Sequence, residues 1–192
     1  MTLGVVAALV TAGAITAALT LGGGGSSDPV AASSDPAVAA KDTKLVAPPT
    51  LDGQPKIEDA ELQAVVDQMR STVLSVVPGS LTSEVGFYGD MTEQSLLAIV
   101  ALTAPIADPT TLLANALTSL ADSGVVVTQP EPIEPGPLGG KASCGNATAS
   151  GVELAVCGWA DNGSVGLVMF HFTELDEAKS RFLRIRAEVE SR

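Results

Sequence analysis

The sequence has few aromatic and few basic side chains. Of its 192 residues only 3% are aromatic, and ten Lys and Arg are outnumbered by 22 Asp and Glu, which gives a formal net charge of −12. Proteins that bind nucleic acid neutralise phosphates with Lys and Arg, and many also stack the bases on aromatic rings. We therefore expect no nucleic-acid partner and no attraction to anionic lipid headgroups.

Histidine and cysteine are scarcer still: His171 is the single histidine, and Cys144 and Cys157 are the two cysteines. Structural zinc sites use four Cys or His ligands, often with C-x-x-C spacing, and thioredoxin-type redox pairs share that spacing. Thirteen positions separate the two cysteines here, which fits neither pattern. No motif names a catalytic residue. We expect no metal site, no cofactor and no catalytic site, and the sequence does not establish an enzyme.

A long uncharged run without proline lies near the amino terminus, from Leu3 to Leu21. As a helix, its 19 residues extend about 28 Å, close to the roughly 30 Å hydrocarbon core of a bilayer. Residues 1–22 are therefore predicted to be a transmembrane anchor or signal segment. An uncleaved anchor is favoured over a cleaved signal peptide or a buried core helix. This predicts a single-pass cell-membrane protein, held through residues 3–21, whose C-terminal domain is extracytoplasmic.

The next segment, residues 23–56, is rich in Gly, Ser, Pro, Ala and Asp and has no helical or strand periodicity. Such a composition is typical of flexible tethers. We predict a disordered linker, with a loop packed on the domain as the alternative. Residues 57–192 are then the extracytoplasmic domain.

The predicted domain shows the hydrophobic periodicities of both helices and strands. Asp108-Pro109 is typical of a helix start, because Asp is a preferred N-cap and Pro fits the first turn. The predicted elements are a helix over 57–77, strands over 84–90 and 95–103, a helix from Pro109, a strand over 125–128, a proline-rich connector over 129–141, strands over 141–148, 152–160 and 164–172, and a last helix capped by Thr173. We expect an α+β fold: an antiparallel sheet of about five to six strands with helices packed on it.

An ungapped similarity relates residues 88–102 to residues 157–171, and it matches Gly89 with Gly158. In both segments a predicted hairpin leads into a helix. The similarity predicts two duplicated strand-turn-strand-helix units within one sheet.

Turn residues set the register of the predicted strands. If Ser150-Gly151 forms a two-residue turn, Cys144 lies directly opposite Cys157 in a non-hydrogen-bonded pair. The Cα atoms of such a pair are about 4.5 Å apart, within reach of a disulfide. Disulfides persist in oxidising compartments, so the predicted disulfide agrees with the predicted extracytoplasmic location. A turn at Asn162-Gly163 likewise sets Trp159 opposite Gly166.

Three side chains are candidate contacts for a ligand or partner: Trp159, Asp161 and His171. Each also has a plainer interpretation. Trp159 shares a face with Cys157 and is expected to pack over the disulfide. Asp161 is expected to be a solvated turn carboxylate, and His171 an edge histidine. The arginines of the last helix are expected to form a solvated surface that matches the helix dipole.

The segment CGWADNGSVGLVMF, residues 157–170, is followed by a basic C-terminal helix. Together they resemble uncharacterised envelope proteins of actinobacteria, in which a short membrane anchor precedes a small α+β domain with a similar C…C-x-W-A-D segment. The resemblance covers mainly residues 140–192. It implies a surface domain of unknown activity and provides no catalytic residue to transfer.

These features favour a membrane-anchored extracytoplasmic domain that binds a small ligand or an envelope protein without catalysis. The alternatives are a structural or assembly factor of the cell envelope and a small anchored hydrolase. A binding domain should have an apolar cavity or an exposed apolar patch between sheet and helix. A hydrolase should instead have convergent polar side chains around His171 or Asp161.

Overall fold

The structure is a computed structural model that describes residues 35–90 and 95–192. In chain order its elements are α1 (Pro36–Asp42), β1 (Lys44–Leu45), β2 (Thr50–Leu51), β3 (Gln54–Pro55), α2 (Ala60–Val76), β4 (Thr82–Asp90), β5 (Ser95–Thr103), α3 (Pro109–Ser119), β6 (Val125–Ile133), β7 (Lys141–Ala149), β8 (Val152–Ala160), β9 (Ser164–His171), α4 (Leu175–Val189) and β10 (Glu190–Ser191). A short 3₁₀ segment, Leu120–Ser123, follows α3. The predicted anchor over 1–22 and residues 23–34 of the predicted linker lie outside the described residues.

The centre of the fold is a six-stranded sheet in the order β4-β5-β9-β8-β7-β6, and every neighbouring pair is antiparallel. Strands β6 to β9 form a meander, and the β4–β5 hairpin continues the sheet beside β9. The predicted α+β fold, with an antiparallel sheet and helices packed on it, is confirmed. The helix predicted over 57–77 is α2, and the helix predicted from Pro109 is α3.

Helices cover both faces of this sheet. On one side, called the α4 face, Phe182 and Ile185 pack against Cys157 and Trp159 in a fully buried cluster. On the other side, called the α3 face, Leu113 of α3 packs with aliphatic side chains of β5, β7, β8 and β9. Because side chains alternate along a strand, β5, β7, β8 and β9 each supply residues to both clusters.

The predicted duplication extends only to the order of the elements. Strand, turn, strand and helix occur as β4-β5-α3 and again as β8-β9-α4. However, α3 and α4 lie on opposite faces. The registers also differ, since Gly89 pairs with Leu96 while the matched Gly158 pairs with Leu167.

The prediction of a disordered linker is wrong for residues 35–56, and the alternative of a segment packed on the domain describes them. Strand β1 pairs with β10 near the carboxyl end of the chain. Strands β2 and β3 form a hairpin through Asp52 and Gly53, which both have positive φ, at 51° and 78°. Leu51 is fully buried in the cluster of the α4 face. Composition failed here because the contacts that hold this short polar hairpin, the burial of Leu51 among them, are made with distant segments of the chain.

The predicted end of strand β6 and the predicted start of helix α4 are also wrong. The predicted connector over 129–141 is wrong for residues 129–133, since β6 continues to Ile133 across a bulge. Its prolines are tolerated because β6 is an edge strand. The predicted cap at Thr173 is also wrong: its hydroxyl donates to the carbonyl of His171, and α4 begins at Leu175.

Both predicted hairpin registers are confirmed. Ser150 and Gly151 have φ of 50° and 82°, and Cys144 pairs with Cys157. The two cysteines form a disulfide with their Cα atoms 4.0 Å apart. In the next hairpin Trp159 pairs with Gly166 as expected.

Within residues 35–90 and 95–192, none of the helices has both the length and the apolar character needed to span a bilayer.

Candidate functional site

A cavity of about 790 Å³ lies on the α3 face, between α2, α3 and the sheet. Its floor is formed by β5 and β9. Two cross-strand pairs, Val100 with Leu167 and Leu102 with Val165, place aliphatic side chains side by side on this face. The floor is therefore a direct result of strand alternation in two apolar strands.

Helix α3 forms one wall. The side chain of Asp108 caps its first turn, and Leu113 and Leu117 are buried against the sheet. The cavity is lined by Ala116 and Leu120, which lie beside this buried stripe. The opposite wall comes from α2 and the turn that follows it. The cavity thus occupies the space that two helices leave above a wide sheet.

The cavity has an apolar interior and a polar rim. Val, Leu, Met and Ala side chains line the interior and are buried or half-buried, whereas the polar lining residues are exposed. These rim residues are Gln68, Asn115, Ser119, Asp122 and Ser123. Ligand sites typically have volumes of roughly 300–1,000 Å³ and a mostly apolar lining with a few polar groups, which matches this arrangement.

The lining contains a single ionisable side chain, that of Asp122, among the residues that the structure describes. General acid–base or nucleophilic catalysis needs a nucleophile or base with an orienting partner. The cavity provides no such pair in its described lining. What the described lining can do is bury the apolar surface of a ligand away from water.

The three side chains predicted from the sequence as contacts do not form one site. Trp159 is fully buried on the α4 face, where it shares the cluster of the disulfide, and its indole N–H donates to Ser164 Oγ over 3.0 Å. His171 is half-buried at the far end of β9, on the α3 face but outside the cavity lining. Burial lowers the pKa of His171 below its ordinary value.

Asp161 is not the solvated carboxylate that its turn position predicted. It is 4% exposed and accepts the backbone N–H groups of Gly163 (2.7 Å) and Ser164 (3.0 Å). Its Oδ2 atom also accepts from Arg186 (2.7 Å) and Arg192 (2.6 Å). The β8–β9 turn is therefore held by a buried carboxylate that also binds two guanidinium groups.

Arg186 lies at the centre of this buried ion cluster, which comprises Asp161, Arg186, Glu190 and Arg192. The expected solvated arginine surface is wrong at this position, because Arg186 is 1% exposed. Its Nε donates to Glu190 Oε2 over 2.9 Å, and its guanidinium lies 5.5 Å from the ring centroid of Trp159. Burial raises the pKa of Glu190, while the adjacent guanidinium counteracts that rise.

Arg186 also donates to two backbone carbonyls of the β6–β7 connection, those of Pro135 (3.1 Å) and Gly139 (2.8 Å). One side chain thus ties α4 to that connection and to the β8–β9 turn. The i,i+4 spacing of Arg186 and Glu190 indicates an ion pair from the sequence alone. The same spacing is common on solvated helices, so it does not predict that the pair is buried. The pair contacts the β6–β7 connection and the β8–β9 turn, which are distant in sequence and give no local signal.

A second carboxylate, that of Asp52, lies in the β2–β3 turn and has a side chain only 5% exposed. It accepts from Arg181 Nε over 2.6 Å and from Arg184 Nη2 over 2.6 Å. The arginines of α4 therefore fix the amino-terminal hairpin as well as the turns of the sheet.

Among the residues that the structure describes, no group of three or more His, Cys, Asp or Glu side chains is arranged to hold a metal ion. The chain matches no family of known proteins, no curated protein and no solved structure.

Proposed function

We propose that this chain is a membrane-anchored extracytoplasmic binding domain, held through residues 3–21, that takes an apolar ligand into the cavity on the α3 face. We further propose that it belongs with the actinobacterial envelope proteins that its C-terminal segment resembles. The observation that carries the binding function is the cavity of about 790 Å³ with an aliphatic interior and a polar rim.

The disulfide supports the proposed location. Both cysteines are fully buried and joined between adjacent strands. Structural disulfides are maintained in oxidising compartments and are rare in the cytosol. In cells lysed directly into denaturant that contains a thiol-alkylating reagent and no reductant, we expect both cysteines to stay unlabelled. Labelling of both would contradict an oxidising location.

The interior of the cavity supports an aliphatic ligand. Each methylene group moved from water into such a site contributes roughly 0.8 kcal/mol. A linear chain should therefore bind more tightly with each added carbon, by about fourfold in affinity. This dependence on chain length is the signature that distinguishes apolar burial from polar recognition.

Trp159 offers a built-in reporter for the experiment, because it is the single tryptophan of the chain. Its ring packs on Gly166, and Gly166 lines the cavity. A bound fluorescent probe, N-phenyl-1-naphthylamine, then lies on the order of 10 Å from the indole, about one layer of the fold away. We expect excitation of Trp159 to sensitise probe emission in the full chain, and linear alcohols from octanol to dodecanol to displace the probe.

Two variants of α3 locate the binding event. Ala116→Phe places a ring inside the cavity, where it competes with the probe for space, and should weaken the sensitised emission. Ala114→Phe places the same ring on the exposed side of the same helix and should leave it intact. Equal emission from the two variants, or no displacement by any alcohol, would contradict the proposed function.

A further inference from the structure

The polar residues of the cavity rim are unevenly distributed. Most of them lie at the carboxyl end of α3 and in the segment that follows it. Asn115 and Ser119 lie in the last turns of α3, and Asp122 and Ser123 lie in the 3₁₀ segment that follows. The carboxyl end of a helix carries the negative end of the helix dipole. The head group of a bound ligand would meet this rim.

Each polar side chain of the described rim can accept hydrogen bonds, and the amides and hydroxyls can also donate them. The carboxylate of Asp122 can only accept when ionised. The hydroxyl of Ser119 donates to the carbonyl of Ala116 over 3.0 Å. Because its proton is used in this hydrogen bond, the hydroxyl oxygen is left to act as an acceptor. A head group that donates hydrogen bonds therefore finds partners here.

The charge of the rim selects against an anionic head group. No Lys, Arg or His is present among the described lining residues, while Asp122 and the helix end are both negative. A fatty-acid carboxylate at the rim would meet repulsion with no cation to offset it, and the whole chain has a formal net charge of −12.

Resting on the proposed function, we infer that the ligand is a single-chain aliphatic molecule whose head donates hydrogen bonds and carries no negative charge, as in a long-chain alcohol, rather than a fatty acid. The chain occupies the space above β5 and β9, and the hydroxyl group donates to the acceptors at the end of α3.

The test compares dodecanol with laurate, its anionic counterpart, as competitors of the fluorescent probe at pH 8 in the full chain. We expect dodecanol to bind at least about tenfold more tightly than laurate. Asp122→Asn should strengthen laurate binding by roughly three- to tenfold and leave dodecanol within about twofold. Asp42→Asn removes the same charge at an exposed position outside the cavity lining and should change neither.

The outcomes separate this inference from the proposed function. Laurate binding as tightly as dodecanol, or an unchanged affinity ratio in Asp122→Asn, would overturn the selection by the head group while leaving apolar binding in the cavity established. Dodecylammonium, whose head also donates hydrogen bonds, should likewise bind more tightly than laurate, and weaker binding would overturn the selection against an anionic head. Failure of every linear chain to displace the probe would remove the proposed function itself.

Discussion

At Gly166 the α4 face has no side chain, and the indole ring of Trp159 fills that space from the paired position on β8. The ring is also bounded by Phe182, with a centroid distance of 6.2 Å, and by the guanidinium of Arg186. A ring enclosed on several sides cannot move aside when its neighbour grows. The pairing predicted from the Asn162-Gly163 turn therefore has a steric basis.

Gly166→Ala should destabilise the fold, because the new Cβ would overlap ring carbons of Trp159. Overpacking of this kind costs about 1–3 kcal/mol in the free energy of unfolding, measured by urea titration. Gly145→Ala is the matched strand control. Its Cβ would lie 3.0 Å or more from its neighbours, so the loss should be smaller. A larger loss at Gly145 would contradict the steric explanation.

His171 should make stability depend on pH in a defined direction. Burial lowers its pKa below the ordinary value of about 6.5. Between the lowered pKa and about 6.5, the unfolded chain binds more protons than the folded one, so the free energy of unfolding rises with pH across that window. This contribution is complete above about pH 7 and is lost as the pH falls through the window.

Urea titrations from pH 5 to pH 7.5 on the wild type and on His171→Gln check this prediction. Because His171 is the single histidine, the variant removes the whole imidazole contribution. The other titrating groups are common to both proteins and cancel in the difference. The variant should lose less stability than the wild type as the pH falls, and parallel curves would contradict a buried imidazole.

At the scale of elements, α4 is fastened by both apolar and ionic contacts. Its apolar stripe consists of Ala178, Phe182, Ile185 and Val189, which are fully buried, and of Leu175, which is half-buried against the same cluster. The buried ion cluster was not predicted, because helical spacing alone cannot distinguish a solvated arginine from one that faces distant carbonyls. The ion cluster joins the helix to the β6–β7 connection and to the β8–β9 turn.

Asp161→Asn should destabilise the protein by about 3–5 kcal/mol, the usual cost of removing one partner of a buried ion pair. The substitution leaves two guanidinium groups, of Arg186 and Arg192, facing an uncharged amide. Asp108→Asn is the control, since Asp108 is an exposed N-cap and Asn caps a helix equally well. Thermal unfolding of both variants measures the difference, and similar losses in the two would refute the role of the cluster.

At the scale of the whole molecule, local patterns predicted the strands of the main sheet, the helices α2, α3 and α4 and the disulfide register, because periodicity and turn residues act within about ten positions. They could not predict contacts that join distant segments. Leu51 lies in a stretch whose composition is that of a linker, yet it packs in the main cluster. The cavity was expected as a class of site between sheet and helix, but its residues depend on how far apart α2 and α3 sit on the sheet.

The extent of the folded unit is testable at Leu51. This side chain is fully buried, so Leu51→Ala in the full chain should lower the free energy of unfolding by about 2–5 kcal/mol, measured by urea titration. Val46→Ala, in the same segment but 50% exposed, should change it by no more than about 0.5 kcal/mol. A chain shortened to begin at Ile57 would also lose Asp52, which binds Arg181 and Arg184, and should be less stable than one that begins at Asp35. If Leu51→Ala behaves like Val46→Ala, the segment over 35–56 does not belong to the core, and the boundary predicted at residue 57 would stand.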